Sequence, residues 1–207
     1  MLRVEHLRIG SLPPLSFSVA AGECLAIEGP SGSGKSRILR AIADLDPVDG
    51  QIFLDGHEQR EMAPAVWRRT VRYAAAEPGW WTDTPRGTLN PAASSQDRIP
   101  RLLAAVGLDE AMLDRPVSQL STGERQRIAL VRALADEPKV LLLDEPTAAL
   151  DKASTALVEE LIRFQFLAER SVLIASHDTG LIDRLAHARL QLAPSDPAPR
   201  PLQPPQP

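Results

Sequence analysis

An α/β fold, with a core of buried parallel strands, an antiparallel β portion at the front and an inserted helical subdomain, is what this sequence predicts. Three observations carry that prediction. The first is a glycine-rich stretch, Gly29-Pro30-Ser31-Gly32-Ser33-Gly34-Lys35-Ser36. It lies between an apolar run, Cys24-Leu25-Ala26-Ile27, and a segment where Ile38, Leu39, Ile42 and Leu45 recur at helical spacing. The second is a pair of unbroken apolar runs, Val140-Leu141-Leu142-Leu143 and Val172-Leu173-Ile174-Ala175, of the kind found in strands covered on both faces. The third is the polar group at the end of each run. Asp144-Glu145 and Ser176-His177-Asp178 come where buried parallel strands deliver side chains to the carboxyl edge of a sheet.

Taken in order, Leu2–Val4 and Leu15–Val19 read as short strands around Pro13-Pro14, and Gly22-Glu23 as the turn into the strand before the glycine loop. The alternating segment Gly50–Gly56 suits an edge strand or a hairpin. A short helix is expected over Ala63–Arg69 and a strand over Val71–Ala74, followed by a loop with Pro78, Gly79, Trp80 and Trp81. Loop and helix dominate from about 80 to 116, with a helical stripe at Leu102, Leu103 and Val106. The helical subdomain is placed at about 80–136. Leu120–Leu134 is a helix with a marked start, because Ser121 and Glu124 have the spacing of a capping box. Capping does not account for Gly123, which is unfavourable by roughly 1 kcal/mol against alanine within a helix. A glycine there leaves backbone N–H groups open to an outside anion. Asp151 opens a further helix, as its N-cap, with Ala153, Leu157, Leu161, Phe164 and Ala168 expected on one face. Asp178 caps the helix after the last buried strand. Residues 193–207 hold seven prolines and little apolar material, so a disordered tail is expected after a domain spanning 1–192.

The bulk numbers narrow the function. At 207 residues the chain suits one compact domain with room for a subdomain. A net charge of −4 and the absence of any dense Lys/Arg block argue against a nucleic-acid partner. The lone cysteine, Cys24, sits in a predicted buried strand, where a small core hydrophobe is the expected role. Neither a signal peptide nor an apolar run of membrane-spanning length is visible, so any membrane role is expected to come through a partner. His6, His57 and His187 are scattered without ligand spacing.

The glycine stretch is an uninterrupted match to the P-loop pattern. Its glycines let the backbone curl until several N–H groups point inward, and the helix that comes next adds its positive N-terminal dipole. In that pattern Lys35 reaches the β and γ phosphates and Ser36 ligates Mg²⁺. Two adjacent carboxylates at a sheet edge call for a cation. Asp144 suits Mg²⁺, and Glu145 suits orienting and deprotonating an attacking water.

The P-loop, the Leu120-Ser121-Thr122-Gly123-Glu124 helix start, the Leu141-Leu142-Leu143-Asp144-Glu145-Pro146 strand, Ala149-Leu150-Asp151 and the strand-terminal Ser176-His177-Asp178 together resemble the ATP-binding-cassette (ABC) ATPases. The match runs to about residue 192. It implies a RecA-like P-loop NTPase core and a head-to-tail dimer, either a homodimer or a paired ATPase subunit. Two ATPs would lie in that dimer, each held by one subunit's P-loop and the other's helix start. It further implies ATP and Mg²⁺ as ligands, with Gly29, Pro30, Ser31, Gly32, Ser33, Gly34, Lys35 and Ser36 on the phosphates and Ser36 and Asp144 on the metal. Glu145 would be the catalytic base, His177 would hold the γ phosphate, and Ser121 and Gly123 would reach it from across the dimer. Asp151 would join the seam. The implied work is to power a separate transmembrane permease subunit from the cytoplasmic face of the membrane; the alternative is a soluble ABC ATPase or a low-turnover ATP-binding regulatory module not coupled to transport. The chain departs from the family at Ala76, where glutamine is usual, at Thr122 and Glu124 in the helix start, and in having no aromatic near Arg8–Gly10 to stack on adenine. Trp80 and Trp81 fit two roles, filling the subdomain's own core or anchoring the membrane partner.

Overall fold

The structure, a computed structural model, describes residues 1–90 and 98–193. Fifteen helices and strands of regular structure order the described chain: β1 Leu2–Arg8, β2 Leu15–Val19, β3 Cys24–Glu28, α1 Lys35–Ile42, β4 Asp49–Leu54, β5 His57–Glu58, α2 Pro64–Thr70, β6 Val71–Ala74, α3 Arg98–Ala105, α4 Thr122–Ala135, β7 Val140–Asp144, α5 Lys152–Leu167, β8 Ser171–Ala175, α6 Thr179–Leu185 and β9 Ala188–Gln191. Short 3-10 turns over 85–88, 110–114 and 117–119 fill most of the link from α3 to α4 and the approach to α3.

Two sheets result. The front of the chain forms an antiparallel sheet in the order β2-β1-β4-β5, in which Leu2 faces Val19 on one side and Leu54 on the other. The Gly50–Gly56 segment is therefore one arm of a hairpin, and β4 is flanked on both sides. The second sheet is parallel, in the order β6-β7-β8-β3-β9. Crossovers between non-adjacent strands bring the ends of β3, β7 and β8 side by side, although β3 lies more than a hundred residues before the other two.

The apolar runs explain why the parallel sheet sits inside. All five residues of β7 and of β8 are buried. Successive side chains alternate between faces. Leu141 and Leu143 join a core with α3, α4, α5 and α6, whereas Val140 and Leu142 join one with α1 and the antiparallel sheet. Trp67 of α2 is fully buried in the second core and donates its indole N–H to the Ile42 carbonyl at 2.8 Å, closing the end of α1.

Two expectations about helix faces change. α1 ends at Ile42, and Leu45 lies beyond it, 44% exposed. In α5 the buried residues are Ser154, Val158, Glu159, Leu161, Ile162 and Gln165, whereas Leu157 and Phe164 are exposed. The helix is therefore rotated from the face drawn through Ala153, Leu157, Leu161, Phe164 and Ala168. Val158, Leu161 and Ile162 pack into one core with Leu181 and Leu185 of α6, and Glu159, buried on the same side, accepts from Arg184 of α6 at both its carboxylate oxygens, at 2.9 and 2.6 Å. The proline-rich stretch over 194–207 lies outside the described residues.

Candidate active site

The glycine loop leaves β3 and closes on α1. Gly29, Gly32 and Gly34 all have positive φ. A Cβ on Gly29 would lie 2.7 Å from the Ser33 hydroxyl oxygen, so the loop closes only around a glycine there. Lys35, at the first position of α1, is 7% exposed. Its ammonium donates to the loop's own carbonyls, Gly29 at 2.8 Å and Pro30 at 3.1 Å, and lies 3.1 Å from His177 Nε2. Since an ammonium only donates, that ring nitrogen accepts, which puts the imidazole proton on Nδ1. Burial lowers the Lys35 pKa, and the nearby charges of Glu145 and Asp144 oppose the shift. Ser36 is exposed at the mouth.

Across the cleft, β7 ends on Asp144, which is 5% exposed. Tyr73 of β6, one strand over, donates its phenol to Asp144 Oδ2 at 2.8 Å. Burial, with that bond next, pushes the Tyr73 pKa well above the usual phenol value. Glu145 comes next with φ 46, in the left-handed region that non-glycine residues rarely occupy. Its N–H donates to the Ala175 carbonyl at 2.8 Å. Glu145 Oε2 accepts from the Ser176 hydroxyl at 3.0 Å and from the His177 N–H at 3.3 Å. Oε1 is buried without a hydrogen-bond partner, with His177 Nε2 3.6 Å away.

Glycine loop, Lys35, Ser36, Arg37, Ala76, Asp144, Glu145, Ala148 and His177 line one cleft of about 600 Å³. That donor set fits a magnesium–polyphosphate. It offers a hydroxyl, a carboxylate and an unpaired carboxylate oxygen opposite a lysine, and no cluster of three ligating side chains forms among the described residues. Magnesium takes one or two protein carboxylates and leaves its other positions to phosphate and water. Ser33 is buried in the loop, and its hydroxyl has no partner.

Ser121 and Gly123 do not line this cleft. Ser121 caps α4 as the spacing requires: its hydroxyl accepts from the Glu124 N–H at 3.2 Å, and Glu124 accepts from the Ser121 N–H at 2.7 Å. The bond from the Ser121 N–H holds the Glu124 carboxyl below its usual range. Gly123 has a reason within the chain that no sequence pattern shows. A Cβ there would stand 3.0 Å from the Ala149 carbonyl oxygen and 3.3 Å from Leu150, so any larger residue would push the turn after β7 off α4 by a few tenths of an ångström. Asp151 accepts from the Ser154 N–H at 2.8 Å and is exposed; Asp178 caps α6 through the Leu181 N–H at 3.0 Å.

Two residues that the motifs leave out hold the site together. Gln126 is buried, donates to the Glu145 carbonyl at 2.7 Å and accepts from the Ala149 N–H at 3.3 Å, tying α4 to the carboxylate turn. Its one legible signal is a polar residue on the apolar side of a helix. Tyr73 has none, because nothing in a strand pattern tells which side chain reaches the neighbouring strand's end. The two tryptophans differ in burial. Trp80 packs against the helical core and Trp81 is 68% exposed, while the Arg132 guanidinium lies over both rings at 4.7 and 4.8 Å. Burial, then the charge of Arg72, lowers the Arg132 pKa to about 10.

The chain is similar to known proteins. The family model described as ABC transporter matches residues 12–148. Protein STAR1 of Oryza sativa subsp. japonica is 36% identical over 180 residues, 83% of this chain and 52% of that protein. The chain thus spans about half the length of that relative. Probable iron export ATP-binding protein FetA of Escherichia coli (strain K12) is 35% identical over 183 residues, 84% of this chain and 80% of that protein. A solved structure of the ATP binding subunit of an ABC transporter superposes with a TM-score of 0.83 at 26% identity, covering 92% of this chain and 85% of that one.

Proposed function

The chain belongs to the ABC transporter family, and on that ground we propose that it is an ATP-hydrolysing subunit that drives a separate transmembrane permease. One observation carries the catalytic half of the reading: a buried carboxylate oxygen, Glu145 Oε1, without a partner, beside the cleft that Lys35 and the glycine loop line. A buried acceptor left unpaired costs about 1–3 kcal/mol, which a water donating to it would recover.

In this reading the backbone N–H groups of the loop from Gly29 to Ser36, of which Pro30 alone has none, and the Lys35 ammonium bind the β and γ phosphates. For that, Lys35 exchanges the carbonyls of Gly29 and Pro30 for phosphate oxygens. Glu145 takes a proton from water as its oxygen bonds to the γ phosphorus and the bond to the β-phosphate oxygen breaks, leaving ADP and phosphate. Bound Mg²⁺, held by Ser36 and Asp144, would neutralise charge building on the β and γ oxygens. His177 donates to the γ phosphate once its Nε2 carries a proton, which requires the other tautomer or the imidazolium. Ser121 and Gly123 serve a second copy or a paired cassette, since they lie outside this chain's own cleft. Asp151, exposed at the start of α5, belongs to that seam.

No helix among the described residues is long and apolar enough to cross a membrane. In this reading the partner is the membrane-spanning element, and the chain works as a peripheral subunit on its cytoplasmic face. Exposed Trp81 borders a groove of about 230 Å³ that Arg68, Arg72 and Arg132 also line, which suits a docking helix of that permease. A second reading, a low-turnover ATP-binding module, is favoured by Ala76, a methyl group lining the cleft where the family has a glutamine.

Single-turnover hydrolysis separates the two. The wild-type chain is expected to cleave ATP in the presence of Mg²⁺, and Glu145→Gln to lose at least about a hundredfold in rate while binding ATP and accumulating as a dimer. Equal rates for both would remove Glu145 from its role, and no hydrolysis by wild type would favour the module. Co-purification with an integral membrane protein tests the permease.

A further inference from the structure

At the edge of the parallel sheet opposite the glycine loop, the turns that lead into β7 and β8 enclose, with α3 and α5, a cleft of about 550 Å³. The strands between run from this cleft to the nucleotide edge, so the two sites are roughly one strand length, about 16 Å, apart or more. Charge in this cleft is unbalanced. Among the described residues, Arg98, Arg101 and Arg170 line it against one carboxylate, Glu137. Glu137 accepts from Arg98 and lies 3.9 Å from Arg170, so one anion serves two guanidiniums.

A structural clamp accounts for part of this. Arg98 also donates to the Leu134 carbonyl at 3.3 Å, and Arg170 donates to the Gln165 side chain, which ties α3 and β8 to the core. The clamp leaves two donors over. Arg98 Nε is buried with no hydrogen-bond partner, and Arg101 is exposed in the cleft with no hydrogen bond or ion pair among the described residues. Burial, with repulsion from Arg98 second, holds the Arg170 pKa below its usual value, as expected of cations short of a counter-ion. The facing wall is apolar: Phe164 is 54% exposed, with Leu102 on α3 opposite.

We propose that this cleft binds an amphiphilic anion, a carboxylate or phosphate on an apolar chain or ring, with its head on Arg101 and the exposed part of the Arg98 guanidinium and its body on Phe164 and Leu102. A cleft of this size, with one apolar wall and a few convergent polar groups, suits a small ligand. Guanidiniums match both kinds of head by their paired donors. The site is independent of the nucleotide reading, since none of its residues lines the nucleotide cleft.

Calorimetric titration of the full chain at low salt with octanoate, octanol and inorganic phosphate separately is the test. Octanoate is expected to bind with a Kd below about 1 mM, at least about tenfold tighter than either half of the chemistry alone. Arg101→Glu should weaken octanoate at least about tenfold, and Phe164→Ser several-fold; both side chains are exposed, so Tm should hold. Co-sedimentation with phosphatidylcholine vesicles carrying phosphatidylglycerol distinguishes the sources. Octanoate binding together with Arg101-dependent co-sedimentation supports the site with a lipid headgroup as ligand; octanoate binding alone supports it with a soluble acid. Octanoate binding no tighter than octanol, or affinity unchanged in both variants, overturns the proposal.

Discussion

Tyr73 and Asp144 show how much of the site rests on single contacts. The phenol gives the buried Asp144 Oδ2 its donor at 2.8 Å, from a neighbouring strand paired in register with β7. Tyr73→Phe keeps the ring and deletes that donor. The expected loss is about 1–2 kcal/mol in urea unfolding, since a buried carboxylate oxygen is left under-satisfied. An unchanged unfolding midpoint would show that water replaces the phenol. Gly123 is the converse case, where a missing side chain matters. Alanine would be favoured by about 1 kcal/mol on helix propensity alone. The Ala149 carbonyl at 3.0 Å from a new Cβ opposes it, and backbone there cannot swing aside as a flexible side chain does. Gly123→Ala is therefore expected to lower Tm, and a raised Tm would mean that the turn after β7 yields easily.

Among the elements, α4 joins two of the molecule's tasks. Its capped start stands outside the cleft, while Gln126, one turn on, grips the backbone of Glu145. A shift of α4 would thus reach the carboxylate turn directly. Near its other end Arg132 holds Trp80 and Trp81. With a side chain mostly in solvent, Trp81→Ser should leave the urea midpoint of the isolated chain within about 0.5 kcal/mol of wild type. The same variant should reduce recovery of the chain with membranes. A large loss of stability instead would assign Trp81 to the subdomain's own packing. α5 carries a different lesson. Period alone predicted a face through Leu157 and Phe164, yet burial tracks Val158 and Ile162, which pack into one core with Leu181 and Leu185 of α6, a contact no period within α5 encodes.

For the whole molecule, ionic ties between elements make a pH response predictable in sign. Asp46 is held below its usual carboxyl range by hydrogen bonds from Arg40, Asp55 by Lys139 and then the N-terminus, and Asp114 by Arg86. A carboxyl depressed in the folded state binds its proton later than in the unfolded chain. Its stabilisation is full above the unfolded value of 3.8 and is lost as pH falls through the lower folded value. The urea midpoint is therefore expected to drop below about pH 4, less steeply in high salt because these pairs are largely solvent-exposed. A midpoint flat through that range would mean the pairs form equally in the unfolded chain.

Local chemistry and the class of fold were already legible in the order of the residues. The P-loop, the Asp144-Glu145 turn, the Ser121 cap and the buried runs of β7 and β8 all obey short-range rules, namely glycine's freedom at positive φ, capping geometry and apolar periodicity. These are written in neighbouring residues, so they can be read without coordinates. Which distant groups meet was settled only when the chain folded. Lys35 rests against His177, Tyr73 against Asp144, Gln126 against Glu145, and Arg98 and Arg170 against Glu137. The physical reason is the crossover order of the parallel sheet. Strand pairing sets neighbours by register between elements remote in the chain, and no periodicity within one segment encodes which partner its side chains will find.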